Sequence, residues 1–315
     1  MKIGLYSITY LGIWYRGPAL TIKEFISQAR RVGFDGVEID GKRPHGNPMD
    51  LDAKARQEIR DHLAREGMEL AAIASNNDFS TPVCELRENA LFMVREQIRL
   101  ARDLGAPVVR VFAAWPGVTM RDGVATYEMA RLGWERAFPD TTTEERWGFV
   151  RECLIEASRI AANEGVVLAL QNHAPVIDNY QDMIQMIREV NSPALKACLD
   201  VPLLKRQDDC WVEEAALATG DLQALSHFGG EYQRAPDGQV VPYKYGGPLS
   251  QLANYLAFAK AMNKIGYHGF INYELCHPLW VRGTRCRAGL DFVHEQVALA
   301  LEYMRGIVAT SQDTR

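Results

Sequence analysis

The 315-residue chain carries a formal net charge of −5, and its basic residues are scattered rather than clustered, which argues against a nucleic-acid partner. Its 47% hydrophobic and 24% charged residues are those of an ordinary globular protein, and no apolar run approaches the ~20 residues of a membrane span. The opening MKIGLYSITYLGIWYRG has one Lys, an apolar stretch broken by Gly, Ser and Thr, and no small-residue cleavage site, so it does not read as a signal peptide. Cys84, Cys153, Cys198, Cys210, Cys276 and Cys286 form no CxxC and are expected to be reduced thiols in a cytoplasmic protein.

In chain order, residues 2–9 read as a first strand, followed by a helix over 21–32 with apolar residues at Phe25, Ile26, Ala29 and Val32. The phrase that comes next, ARRVGFDGVEID, recurs in outline as LAREGMELAAIA, ARDLGAPVVRVFAA, AANEGVVLALQNH and MNKIGYHGFINYEL. Each carries a Gly (33, 67, 105, 165, 266) where a helix ends, then an apolar run rich in β-formers. The remaining strands are expected over 36–40, 69–74, 108–114, 166–173, 195–200, 222–229 and 269–275. Helices are expected over 51–66, 85–104, 145–164, 179–190, 207–219, 249–265 and 286–306. Eight such alternations imply an α/β fold, a (β/α)8 TIM barrel forming a single domain over 1–315. Two connections, 115–144 and 229–248, are longer than packing requires and follow strands, which puts both on the active face.

In such a barrel the strand ends are where chemistry collects. Strand two ends at Glu38 and Asp40 and strand four at Trp115. The fifth runs through LALQNHAP to Gln171, Asn172 and His173. Strands six to eight end at Asp200, His227, and Glu274 with His277. Taken singly, Asp200 could cap a helix, His227 could be a core histidine and Glu274 could pair with an arginine. Together, Gln171, Asp200, His227 and Glu274 form an oxygen- and nitrogen-rich set from four consecutive strands, suited to Mn²⁺ first, with Mg²⁺ or Co²⁺ as alternatives.

Read strand for strand, that quartet, with GFDGVEI and ALQNH, resembles the metal-binding set of the xylose-isomerase-like superfamily of sugar isomerases and epimerases. The resemblance implies a sugar substrate, a divalent metal and an oligomer. That superfamily usually has Glu on strand five, where this chain has Gln171, and an amide cannot take a proton at neutral pH. His173, two residues further along, is therefore the expected base, with Glu274 the other catalytic candidate and Asn172, pointing the other way, structural.

The stretches LGIWYRGPAL, VEIDGKRPHGNP and YELCHPLWVRG further resemble the metal-binding subunit of bacterial C-glycoside deglycosidases. That resemblance implies a lyase that removes the C2 proton of a 3-oxo-C-glycoside and eliminates the aglycone, working with a smaller β-sandwich partner subunit. A ketose 3-epimerase or aldose–ketose isomerase is the main alternative, and a non-catalytic sugar-binding barrel the second. Expected substrate contacts are Glu38, Lys42, Arg43, His45, Trp115 and His277, with Trp14, Tyr15 and Trp280 as further stacking surfaces.

Overall fold

The computed structural model describes residues 1–243 and 252–312. Its strands are β1 (Lys2–Tyr6), β2 (Gly36–Asp40), β3 (Glu69–Ala74), β4 (Val108–Val111), β5 (Thr119–Arg121), β6 (Val124–Thr126), β7 (Val167–Gln171), β8 (Leu195–Cys198), β9 (Gln223–Gly229), β10 (Tyr232–Arg234), β11 (Val240–Pro242) and β12 (Phe270–Glu274). Its α-helices are α1 (Ile22–Val32), α2 (Ala53–Glu66), α3 (Cys84–Leu104), α4 (Glu128–Ala137), α5 (Thr143–Asn163), α6 (Tyr180–Val190), α7 (Asp209–Thr219), α8 (Tyr255–Lys264) and α9 (Leu290–Gln312).

Eight of these strands close into a barrel in the order β1-β12-β9-β8-β7-β4-β3-β2, every neighbouring pair parallel. The expected (β/α)8 barrel is thus the fold. Local chemistry explains why the elements stop where they do. Thr21 and Thr142 begin α1 and α5 with reciprocal capping boxes to Glu24 and Glu145, satisfying first-turn amides that have no helical partner. Glycines 33, 67, 105, 165 and 266 all adopt positive φ, as their recurrence after each helical segment predicts.

Strand lengths differ from expectation at the mouth. The first stops at Tyr6 and passes into a 3₁₀ turn over Ser7–Tyr10, and the fifth stops at Gln171, so His173 lies beyond the strand. The 115–144 connection is ordered as the β5–β6 hairpin followed by α4. Its turn is Asp122-Gly123, both at positive φ, a pairing that favours the tight hairpin turn. The other long connection holds the β10–β11 hairpin, while residues 244–248 of it and 249–251 of the expected helix lie outside the described residues. The seventh barrel helix begins at Tyr255, and the eighth runs later than expected, over Leu290–Gln312.

Most apolar side chains form one large core between the barrel wall and the helices. A smaller cluster of Ala71, Ala72, Val108, Ala169, Cys198, Leu225 and Phe270 packs separately, with small residues leaving room for the Phe270 ring. Gly36 is part of that accommodation. A Cβ there would stand 2.7 Å from both the Glu69 carbonyl oxygen and the Phe270 ring. No helix among the described residues is long and apolar enough to cross a membrane, and all six cysteines are free. Gly36→Ala is expected to lower stability by about 1–3 kcal/mol through overpacking, read as a lower midpoint in urea unfolding with an unchanged slope.

Candidate active site

The barrel strands deliver their polar side chains to the carboxyl-terminal mouth, and two irregularities help aim them. Pairing slips by one residue between Val37 and Glu38 on β2 and between Ala197 and Cys198 on β8. Each bulge sits directly before a buried carboxylate or its neighbour, a common device for redirecting a side chain.

At the centre lies His227, 1% exposed, on β9. Its Nε2 is 2.8 Å from Glu38 Oε2, and its Nδ1 is 3.0 Å from Asp200 Oδ2. Burial by itself would lower the imidazole's pKa, but Glu38 and Asp200 hold it well above its ordinary value. Burial likewise works to raise Asp200, and His227 overcomes that to keep it below the usual range. Glu38 is 0% exposed and also accepts from Asn272 Nδ2 at 2.6 Å. It therefore faces the histidine, not the pocket surface that the substrate-contact expectation implies.

Gln171, at the end of β7, donates its Nε2 to Asp200 Oδ2, which leaves Oε1 buried without a partner. The opposite amide orientation would set two oxygens against each other, so this one follows from the chemistry. Asn172 points away and clamps the backbone of Asp200. Asp200 N donates to Asn172 Oδ1 at 2.7 Å, and Asn172 Nδ2 donates to the Asp200 carbonyl at 3.1 Å. Cys198 Sγ is 3.4 Å from Asp200 Oδ1 and 3.6 Å from His227 Nδ1. Burial pushes that thiol far up, so it remains neutral.

Gln171, His173, Glu274, Lys42 and Trp115 line one cavity of about 60 Å³, room for roughly four waters. Glu274 is half-buried there, and its carboxylate accepts no hydrogen bond among the described residues. Burial pushes its carboxyl up to about 7, with His227 opposing and Asp200 reinforcing the rise. The His173 ring lies edge-on to Phe112 and Trp115, at 5.0 and 5.2 Å between centroids. Its Nδ1 contacts the Ala174 carbonyl and can only donate there, which leaves the Nε2 lone pair free. Burial lowers its pKa, so the ring is neutral at pH 7.

Trp14 also lines this cavity, whereas Arg43, His45 and His277 do not. Arg43 is exposed and forms a two-pronged pair with Asp50, both contacts at 2.7 Å. His45 is buried and donates Nε2 to the Leu20 carbonyl at 2.8 Å. His277 stands 3.3 Å from the buried Glu231.

Sequence reasoning missed Arg110, Tyr6, Tyr127 and Phe112, all of which line the cavity. Arg110 donates to the Ser75 carbonyl at 2.8 Å and to Tyr6 Oη at 2.9 Å, and Tyr6 in turn donates to Asp40 at 2.9 Å. The signal was available in PVVRVFAA, where a charged residue interrupts an otherwise apolar strand. Tyr127 sits on the long connection, and nothing in its local pattern marks it.

Residues 26–296 match the family of xylose isomerase-like TIM barrels. The chain belongs to that family. It is 25% identical over 210 residues to the fructoselysine 3-epimerase of Shigella flexneri, a match covering 64% of this chain and 66% of that protein. The chain thus spans just under two thirds of this relative's length. Among solved structures, D-psicose 3-epimerase from Clostridium cellulolyticum H10 with D-tagatose superposes at a TM-score of 0.70, with 16% identity and coverage of 98% and 99% of the two chains. The 3-keto-D-glucoside 4-epimerase of E. coli gives 0.64, with 18% identity and 99% of each chain covered. At these identities the likeness to the solved structures shows a shared fold.

Asn172→Ala would strand the buried N–H of Asp200 and leave its carbonyl only the bond from Leu203 N at 3.2 Å. It is expected to destabilise the fold by about 2 kcal/mol, measured by urea denaturation, whereas an unchanged midpoint would show that the clamp carries no load.

Proposed function

We propose that this protein is a divalent-metal-dependent sugar epimerase that inverts a carbon next to a carbonyl group. The observation that carries the reading is the buried, unpartnered Oε1 of Gln171, whose Nε2 is held by Asp200, itself paired with His227 Nδ1, while the unpaired carboxylate of Glu274 lines the same cavity as Gln171 without joining the close group of Cys198, Asp200 and His227. Those donors fit a cation. An amide oxygen with nothing to accept from, and an imidazole whose Nδ1 faces one carboxylate while another holds Nε2, is the arrangement a metal-ligating histidine needs. The proton kept on His227 stands where a cation's charge would replace it. Gln171, Asp200 and Glu274 offer oxygens and His227 a nitrogen, which favours Mn²⁺, Mg²⁺ or Co²⁺, and Cys198 Sγ, 3.4 Å from Asp200 Oδ1, adds a softer ligand atom to the close group with Asp200 and His227.

When bound, the cation would supply Lewis acidity that draws off negative charge developing on the substrate's oxygens. The chain's own residues handle the proton. His173 Nε2, neutral and unpaired, takes a proton from the carbon beside the carbonyl. Glu274, whose raised pKa lets it hold a proton, returns one to the opposite face. One C–H bond breaks and one forms, so composition is unchanged while the centre inverts. Trp115 and Phe112, stacked at 4.8 Å, hold the His173 ring and keep bulk water from it. The similar proteins named above are epimerases, and they favour this reading over a C-glycoside lyase. The lyase remains the second reading because Gln171 removes one carboxylate base, and elimination needs only one; it also calls for a smaller partner subunit.

Proton NMR in D₂O on the Mn²⁺-loaded protein decides between them. Deuterium entering the carbon beside the carbonyl of a keto sugar, with its epimer accumulating, is the expected result. Aglycone release without epimer would establish the lyase. His173→Ala is expected to lower turnover by roughly 10²–10⁴-fold with bound Mn²⁺ unchanged by elemental analysis, and full activity in that variant would remove His173 from the mechanism. Asp200→Asn is expected to lose metal and activity together.

A further inference from the structure

A charged side chain inside a barrel wall needs a physical reason, and Arg110 interrupts the otherwise apolar strand Val108–Val111. It is 3% exposed and lines the cavity that holds His173 and Glu274. Burial works to lower its pKa, and Tyr6, Glu38 and Asp40 more than offset that, so the guanidinium stays charged.

No carboxylate touches that charge among the described residues. Asp40 accepts from Asn76 Nδ2 at 2.8 Å and from Tyr6 Oη at 2.9 Å, and its own charge is met by Lys42 Nζ at 3.5 Å. Glu38 is taken by His227 and Asn272. Arg110 makes two hydrogen bonds, to the Ser75 carbonyl and to the Tyr6 oxygen. A guanidinium has five N–H donors, so three are left without an acceptor among the described residues, Nε–H included. The fork is also held in place, with its central carbon 4.1 Å from the Phe112 ring centroid and 5.7 Å from that of Tyr6. A buried cation with unused donors, fixed beside a reaction cavity, is complementary to an anion that arises there.

Inversion of a carbon beside a carbonyl creates such an anion. When that carbon gives its proton to His173, the C–H electron pair becomes part of a C=C bond and the carbonyl π pair moves onto oxygen. The oxygen is neutral in substrate and product and charged only between them. Donors aimed at it therefore lower the barrier without tightening the ground state. Lys42 is already engaged by Asp40, which leaves Arg110 as the cavity-lining cation with donors to spare.

We propose that Arg110 is a further catalytic residue, whose guanidinium donates to the substrate oxygen that becomes anionic when the proton leaves. The inference rests on the epimerase reading for the reaction, but not for the anion site itself. Phe112 carries the Arg110 fork on its face and the His173 ring at its edge, 5.0 Å between ring centroids, so the group that takes the proton and the group that takes the charge share one support.

The test has a binding arm and a turnover arm. Oxalate is the probe for binding, a planar dianion whose oxygens are arranged like those of an enediolate. Titration calorimetry on the Mn²⁺-loaded protein would compare the wild type with Arg110→Met, which keeps bulk without charge, and Arg110→Lys, which keeps charge without the fork. Oxalate affinity is expected to fall about 100-fold in Arg110→Met and about tenfold in Arg110→Lys, with Mn²⁺ affinity by electron paramagnetic resonance within about twofold of wild type. Circular dichroism checks the fold, and Arg110→Lys carries the test if Arg110→Met does not fold. Unchanged oxalate affinity in either folded variant overturns the proposal, as does a parallel loss of Mn²⁺, which would make Arg110 a support of the barrel. In the turnover arm, deuterium exchange into a keto sugar is expected to lose roughly 10²–10³-fold in kcat in Arg110→Met, with KM changed less than about threefold and part of the loss restored in Arg110→Lys. A raised KM at unchanged kcat overturns a role confined to the charged state. Weakened oxalate binding in the variants, with no exchange by the wild type on any keto sugar, would refute the epimerase reading and leave the anion site standing.

Discussion

The site is organised around one interaction, the His227 imidazole held between Glu38 and Asp200. Neither carboxylate is reached by solvent, and the ring between them is 1% exposed. Ionised groups in such surroundings each cost several kcal/mol to desolvate, so they persist only where their charges and hydrogen bonds answer one another. Asn272 and Gln171 complete the arrangement from two further strands, and Asn172 pins the Asp200 backbone. Five strands, β2, β7, β8, β9 and β12, thus reach the same few atoms, and the closed barrel is what brings them there.

The same constraint shapes the rest of the mouth. Arg110 is buried beside the cavity and forms no direct ion pair among the described residues. It reaches Asp40 through the phenol of Tyr6, which accepts from the guanidinium and donates to the carboxylate. Tyr6 thereby spreads charge between a cation and an anion on different strands. Glu274 is the carboxylate left out of these pairings, which is why burial moves it so far toward neutrality. A group that is poorly compensated, beside a cavity, is the one available for chemistry.

Two cavities meet at the mouth of the barrel, with Lys42 and Asn76 lining both. The first is small, with Lys42, Arg110, Gln171, His173 and Glu274 set among aromatic walls. The second is larger, apolar along α3, and polar only where Ser75 and Gln97 remain unsatisfied. Lys42 and Asn76 separate them, and their contacts with Asp40 tie that partition to the charge network of the barrel.

Much of the fold was legible in residue order. Gly33, Gly67, Gly105, Gly165 and Gly266 announce helix ends because a left-handed turn is a local requirement, and the apolar runs after them announce buried strands. The strand-end positions of Gln171, Asp200, His227 and Glu274 followed from the alternation alone. The Asp122-Gly123 hairpin was equally local, and was missed by treating its segment as plain loop. Other features depend on closure of the barrel. That Glu38 meets His227 across 189 residues, that Arg110 reaches Tyr6 across 104, and that Arg43 turns to Asp50 while Lys42 faces inward were settled only when distant strands became neighbours. Sequence by itself determined which residues end the strands, because period and punctuation are properties of adjacent residues. Tertiary structure alone decided which of them touch, since hydrogen bonds and buried charge depend on separations in space.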